Sequence, residues 1–539
     1  MQASRSTGRS RSVVTAFRLA VVLALAAALV GVAFAQEYGG RFVVGRSAAP
    51  SILDPQKTGE SAADEVLSLV GGSLMTIDPD TLALGPGLAD SVEQSADGLT
   101  FTFKIHPGVK FHNGDPLTAA DFKYTYERAL DPATEATVSG DMLAGVESVE
   151  APDDYTLVVH LKEPSAVFLR NLSNSGYLQP LSRRAVEEAG ADYGRAPVGV
   201  GPYRFKEWVA GYSITLERNP DFAWAPYYLK NQGAPYPDEI EFRYLPEQGT
   251  LVAALEAGEV DYADVPAVDL ALFQDNPSFN VYSSLSSGIG LEFIFNLRDP
   301  IMADIRVRQA FNHAIDKQFF IDRVVDGHGI PATGVLPPSI PGYDPDSAAT
   351  DYDFDREAAG ALLDAAGWTM GPNGVRAKDG QPLTIRIVAY TVSQMVLASE
   401  LLQNQLKAIG VDATVESYER SLQMPMIIEG DYQIAPLSWT YDDADVLYFL
   451  AHSSQHPNGL NLGAVNDPEL DRLLDASRTT LVDSERMLVF HDIQRLMNEN
   501  AYLAPVYVQE TFSAANKRVE GLRFTAIGAP LLQEVWIAR

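Results

Sequence analysis

Asp97-Gly98-Leu99-Thr100-Phe101-Thr102-Phe103-Lys104-Ile105, followed by Gly108-Val109-Lys110-Phe111-His112-Asn113-Gly114, sets one strand between two turns. Asp97-Gly98 is turn chemistry, and from Leu99 every second residue is apolar. Leu99, Phe101, Phe103 and Ile105 therefore share one face, which is the pattern of a half-buried strand. Asn113-Gly114 turns the chain again. Thr118 is placed to cap a helix reaching about Leu130, with Phe122, Tyr126 and Leu130 at fourfold spacing. Further on, Asp153-Asp154 separates two extended runs. The second carries Tyr155, Leu157, Val159 and Leu161 on alternate positions, so the pair reads as a hairpin. Residues 76–195 thus form a self-contained α+β unit.

The flanks have a different rhythm. Upstream, a short strand at Phe42–Gly45 precedes a helix from Ala63, with Val66, Leu67, Val70 and Leu74 on its apolar face and Gly71-Gly72 weakening its end. Downstream, Gly199-Val200-Gly201-Pro202-Tyr203 makes a bend. Strands are expected at 203–208, 214–218, 239–244 and 291–296. A helix capped by Asp304 follows, and then an alternation: helix 355–366 stopped by Gly367, strand 383–389, helix 393–409, strand 411–418. Asp467-Pro468-Glu469 is a strong helix start with Pro at the first helical position, and Asp483 opens another helix. Strands alternating with helices imply sheets covered by helices, an α/β fold.

Composition narrows the function. The chain has 539 residues, 40 Lys plus Arg against 71 Asp plus Glu, a formal charge of −31 and no cysteine. Such a surface repels a phosphate backbone, so nucleic acid is not a partner. Without cysteine there is no disulfide framework, thiolate metal site or Cys nucleophile. Residues 1–18 hold Arg5, Arg9, Arg11 and Arg18 with no acid, and an apolar run from Leu19 to Ala35 ends in Ala33-Phe34-Ala35. This is the pattern of a secretory signal peptide, residues 1–35, cleaved after Ala35. The remaining chain is more acidic still, and is expected to be soluble and monomeric.

Catalytic signatures are absent from the sequence: it has no Gly-x-Ser-x-Gly elbow, no His-Glu-x-x-His and no Gly-x-x-x-x-Gly-Lys loop. His452 and His456 sit in a Pro-Asn-Gly loop with no third ligand nearby. Asp442, Asp443 and Asp445 lack the glycine of a calcium loop. No metal and no cofactor is expected.

Several segments, in order, resemble one family. They are Leu53-Asp54-Pro55, the 97–114 stretch, Val198–Tyr203, Leu216–Pro220, Phe295-Asn296, Arg306-Val307-Arg308-Gln309-Ala310, Ala314–Lys317, Leu362–Trp368 and Asn466–Asp471. Together they resemble the family 5 extracellular solute-binding proteins, the peptide-binding components of ABC transporters. The resemblance implies the two-lobed periplasmic-binding-protein fold (class II, peptide-binding type), with lobes joined by two crossing strands and an extra α+β subdomain on the first lobe. The expected division is 36–75, 196–288 and 501–539 for lobe I, 76–195 for the subdomain and 289–500 for lobe II. The resemblance further implies a periplasmic protein that is not an enzyme. It would capture a peptide, an oligopeptide rather than a dipeptide, between the lobes and deliver it to ABC permease subunits in the inner membrane. Two alternatives stay open. One is the same fold holding an oligosaccharide, an opine or a nickel chelate; the other is a secreted hydrolase using a carboxylate pair.

Site residues follow from the same resemblance. Within Trp439-Thr440-Tyr441-Asp442, Asp442 takes the position of the acid that pairs with a peptide α-ammonium, and Trp439 and Tyr441 add flat apolar area. Asp443, next in an extended segment, is expected to point away and be silent when changed to Asn. On the facing lobe, Gly59, Glu60 and Ser61 occupy the place where members bond the ligand backbone, and Asn296 completes the set. Residues 389–399 hold no Arg or Lys, and Pro436 stands where some members place an Arg, so a strict dipeptide clamp is not expected. Arg306 and Arg308 are read as forming helix-face ion pairs, and Gly367 as a helix cap.

Overall fold

The computed structural model describes residues 38–441 and 443–538; the signal segment and its cleavage site lie outside them. The strands that carry the architecture are Arg41–Arg46 (β1), Ala89–Gln94 (β2), Thr100–Ile105 (β3), Val146–Asp153 (β4), Thr156–Leu161 (β5), Tyr203–Val209 (β6), Ser213–Arg218 (β7), Glu239–Tyr244 (β8), Tyr262–Val265 (β9), Phe279–Leu285 (β10), Leu291–Phe295 (β11), Thr384–Tyr390 (β12), Asp412–Tyr418 (β13), Ile434–Leu437 (β14) and Leu503–Asn516 (β15). The principal helices are Ser61–Val70 (α1), Ala119–Leu130 (α2), Ile305–Ala314 (α3), Arg356–Ala365 (α4), Ser393–Ala408 (α5), Val446–Ala451 (α6), Pro468–Thr479 (α7) and Asp483–Glu499 (α8).

One hydrogen-bonded path runs β13-β12-β14-β11-β15-β9-β1-β8-β7-β6. Its midpoint is β15. Residues 503–507 of that strand pair with β11, and residues 510–516 pair with β10. The segment between β10 and β11 stays on the same ladder, with Ser286 N–H donating to Gln509 O (2.8 Å) and Gly290 N–H to Tyr507 O (2.9 Å). Two antiparallel segments thus cross from one lobe to the other, and the fold is two-lobed α/β. Ala504, Val506 and Tyr507 pack in the core of the second lobe, while Ala515 packs in that of the first. The crossing therefore falls inside β15 rather than at its start.

Burial explains the apolar runs. In β1, Phe42 and Val44 meet Val66 and Val70 of α1 on one side, and Val43 meets Leu251 and Leu255 on the other. In β11, Leu291, Phe293 and Phe295 pack on Val307 and Phe311 of α3, while Ile294 faces Val388 and Leu437. Strands covered on both faces read as continuous hydrophobic runs rather than alternations. The helix expected over 63–74 stops at Val70, because Gly71 and Gly72 lie flat under neighbours. A Cβ on Gly72 would meet the Trp224 ring at 2.3 Å.

The subdomain has its own four-stranded sheet, β2-β3-β5-β4. Phe101, Phe103 and Ile105 point into a core shared with Phe122 and Tyr126 of α2. Each buried Phe contributes about 2 to 3 kcal/mol by area. Thr118 N–H donates to Asp121 Oδ2 at 2.8 Å, so the expected cap is reciprocated from inside the helix. His112 joins subdomain to lobe. Its N–H donates to Gly199 O (2.8 Å) and its Nε2–H to Gly201 O (3.1 Å), and burial pushes the imidazole down to about 4.

Arg306 pairs with Asp304 as expected, at 2.7 Å. Arg308 does not form a helix-face ion pair. It is buried, and its guanidinium donates to the carbonyls of Met302 (2.7 Å), Asn500 (2.8 Å) and Ala501 (2.9 Å). Those last two carbonyls follow the end of α8, where a cation is favoured by the helix dipole and by unpaired acceptors. Gly367 caps α4 at φ +91.

Candidate functional site

A cavity of about 680 Å³ opens between the lobes. It is within the size range of a small-solute or short-peptide site. Three parts of the chain wall it.

From lobe I, α1 presents Asp64, Glu65 and Ser68. Glu65 is held by Arg46 through two bonds, 2.9 Å to Nε and 2.6 Å to Nη2. Beside them stand Phe222 and Trp224, whose rings meet edge-on at 5.1 Å. Trp224 Nε1 donates to Val200 O at 2.9 Å, so the bend expected at 199–203 orients this aromatic wall. From the subdomain come Val138, Asp141 and Arg170; from lobe II come Tyr441, Asp443, Asp445, Phe449 and Arg478. Arg478 lies over the Tyr448 ring at 4.3 Å and pairs with Asp445 at 3.2 Å. Burial nonetheless raises the Asp445 carboxyl above its usual value.

The residues expected at the site divide. Tyr441 lines the cavity; its hydroxyl donates to Val335 O at 2.8 Å, and burial holds the phenol well above its usual pKa. Trp439 is half-buried and donates Nε1–H to Glu292 Oε1 at 2.8 Å. Glu292 is 2 % exposed, and burial lifts its carboxyl to about 7. The Trp439–Tyr441 segment also lies along the hinge, tied to it by two backbone hydrogen bonds. Trp439 N–H donates to Ile289 O (3.0 Å) and Tyr441 N–H to Ser287 O (2.7 Å). Gly288 makes this approach possible, since a Cβ there would sit 1.9 Å from Trp439 O. Asp442 lies outside the described residues.

Gly59, Glu60 and Ser61 stand at the start of α1, one turn before the cavity wall. Glu60 faces back, accepting from Ser51 N–H and Oγ–H at 2.7 Å each. The acids that α1 turns to the cavity are Asp64 and Glu65, whose i, i+1 spacing gave no motif. Asn296 is not at the cavity. It is buried, its amide NH₂ donates to Gly430 O and Tyr432 O (2.9 Å each), and its Oδ1 accepts from Arg298, so it pins the loop before β14. Asp443 does not point away either. Its Oδ2 lies 2.6 Å from Arg170 Nε on the subdomain, and its Oδ1 faces Arg486 at 3.4 Å. The Asp443 carboxylate also accepts Asp445 N–H (2.8 Å), because the chain turns here into α6 instead of staying extended.

The family model for bacterial extracellular solute-binding proteins, family 5 Middle, matches residues 83–461. The chain belongs to that family. This family 5 protein is 26% identical over 501 residues to the oligopeptide-binding protein AppA of Bacillus subtilis, covering 90% of each chain. The structure of AppA in complex with a nonapeptide superposes with a TM-score of 0.72, covering 94% of this chain and 100% of the other. HbpA2 from Haemophilus parasuis gives a TM-score of 0.81 at 25% identity, covering 93% and 100%. AgaA from A. tumefaciens R10 in complex with agropinic acid gives 0.70 at 26% identity, covering 93% and 99%. Among the described residues of the family 5 protein, no helix is long and apolar enough to cross a membrane, and no cluster of His, Asp or Glu could hold a metal ion.

Proposed function

We propose that the protein is the periplasmic receptor of an ABC importer. It captures an oligopeptide between its lobes and hands it to the permease without altering it. The observation that carries this is the cavity itself, about 680 Å³, walled by both lobes and by the subdomain at the far side of two crossing strands. A ligand touching both walls favours the closed form by its differential affinity for it, and crossing strands can bend with little loss of core packing. The AppA likeness supports a peptide as cargo. Trp439 and Tyr441 line up the segment on which Asp442 would meet the α-ammonium, and the domain division above, with its last boundary moved into β15, gives the moving bodies. The signal segment delivers the chain across the inner membrane, where it works as a monomer. A second reading keeps the fold and replaces the peptide by a compact polar solute such as an opine; the AgaA likeness favours it. Native mass spectrometry of protein purified from its source tests both. A bound peptide mass supports the first, a smaller polar mass the second, and turnover of peptides or glycosides would overturn both.

A further inference from the structure

Three contacts tie the subdomain to the second lobe along one edge of the cavity. Arg170 Nε lies 2.6 Å from Asp443 Oδ2. Ala166 N–H donates to Arg478 O at 2.8 Å. Leu481 reaches the Asp97-Gly98 turn, where a Cβ on Gly98 would meet its Cδ1 at 2.8 Å. All three must part if the cleft opens, because each joins bodies that the hinge moves relative to one another.

The ion pair is built to be reversible. Arg170 sits on the helical turn Phe168–Asn171, which Phe168 anchors in the subdomain core with its ring 5.0 Å from that of Phe101. Across the gap, Asp443 is fixed by its own lobe through the Asp445 N–H and through Arg486, which is 3% exposed and itself donates Nε–H to Ser477 O at 2.7 Å. When Arg170 withdraws, the Asp443 carboxylate keeps Arg486 as counterion and Arg170 passes to water. Neither charge is left buried and alone, the circumstance that makes breaking an ion pair costly. The side chains of Arg170 and Asp443 are 20% and 21% exposed, so the contact is also open to salt.

We infer that Arg170 and Asp443, both on the cavity wall, form an interlobe clasp that holds the ligand-free protein partly closed, and so sets solute affinity through the closed fraction. The inference rests on the two-lobed binding reading, but its test needs no ligand. The chain has no cysteine, so Glu93→Cys on β2 and Leu488→Cys on α8, both exposed, are unique sites for spin labels. Pulsed electron–electron resonance then reports the interlobe distance distribution.

In the ligand-free protein, Arg170→Gln and Asp443→Asn should each lower the closed-to-open ratio about threefold to fivefold, the effect of losing one partly exposed ion pair. The double variant should match either single one, because both remove the same contact. Sodium chloride at 1 M should move the parent in the same direction. An unchanged distribution in both single variants, or a double variant shifted by the product of the two, overturns the clasp. A role for Arg170 as a solute contact gives the first of these results. Failure of the solute reading would show instead as no bound mass, with these distances unaffected.

Discussion

Glu292 allows a test in which most other titrations cancel. It is enclosed in the middle of the second lobe's sheet, between Leu437 of β14 and Pro505 of β15. Trp439 Nε1 is its hydrogen-bond partner, and burial and that bond are what act on its carboxyl. Burial raises the carboxyl from the usual 4.5 to about 7. The sign follows from proton uptake. Between these two values the native state holds a proton that the unfolded chain has lost, so stability falls as pH rises through the window and stays low above it. At about 1.4 kcal/mol per pH unit the loss reaches about 3 kcal/mol. Glu292→Gln keeps the volume and an acceptor for Trp439 but carries no charge. Urea unfolding of both proteins at intervals from pH 4 to 8 should give nearly equal stabilities at the acid end and a variant about 3 kcal/mol more stable at pH 8. Trp439 supplies a second readout, because its emission should titrate with a midpoint near 7 in the parent and not in the variant. A stability difference that does not change with pH would refute the reasoning.

His112 predicts the opposite slope. Its folded value is depressed, so its contribution is present above about 6.5 and fades toward pH 4, by up to about 3 kcal/mol, a dependence that His112→Gln should remove in the same unfolding series. If the cargo presents an α-ammonium, Asp442→Asn should weaken binding by roughly 3 to 5 kcal/mol in calorimetric titration, and N-acetylation of the peptide should do the same to the parent; equal binding of free and acetylated peptide would remove Asp442 from the site. Gly288→Ala drives a methyl into the Trp439 carbonyl and should cost about 1 to 3 kcal/mol of solute affinity as the Trp439–Tyr441 segment shifts. Unaltered titration with an unaltered circular dichroism spectrum would mean that this segment takes no part in binding.

How much could be read beforehand depended on whether the determining contact is local. The β3 alternation, the Thr118 and Asp304 caps and the Asp467-Pro468 helix start are set by neighbours within a few residues, and each was legible. Family resemblance supplied the two-lobed plan. What escaped were long-range choices among chemically equal residues. Arg306 and Arg308 look alike in sequence, yet only one reaches the carbonyls beyond α8. Asp443 was expected to alternate away from its neighbour, but the backbone turns into a helix there and aims it at a subdomain arginine. Asn296 sits in a family motif and serves a loop. Arg170, preceded by Phe168 and Leu169, had no local pattern to mark it as a cavity residue.

The position of β15 bears on how the chain reaches its folded state. This strand lies between β11 and β9, at the centre of the sheet, yet it is the last long strand to be synthesised. Until residues 503–516 emerge, β11 and β9 each present an unpaired edge, and neither lobe can complete its own sheet. Early segments must therefore wait for the end of the chain, a long-range dependence that slows folding. If the proposed signal segment carries the chain across a membrane unfolded, such delay works in favour of export. A chain ended after residue 502 should accordingly remain protease-sensitive in both lobes, with the four-stranded subdomain the part best able to resist; a protected first lobe in that truncation would show that the two halves fold independently of their shared strand.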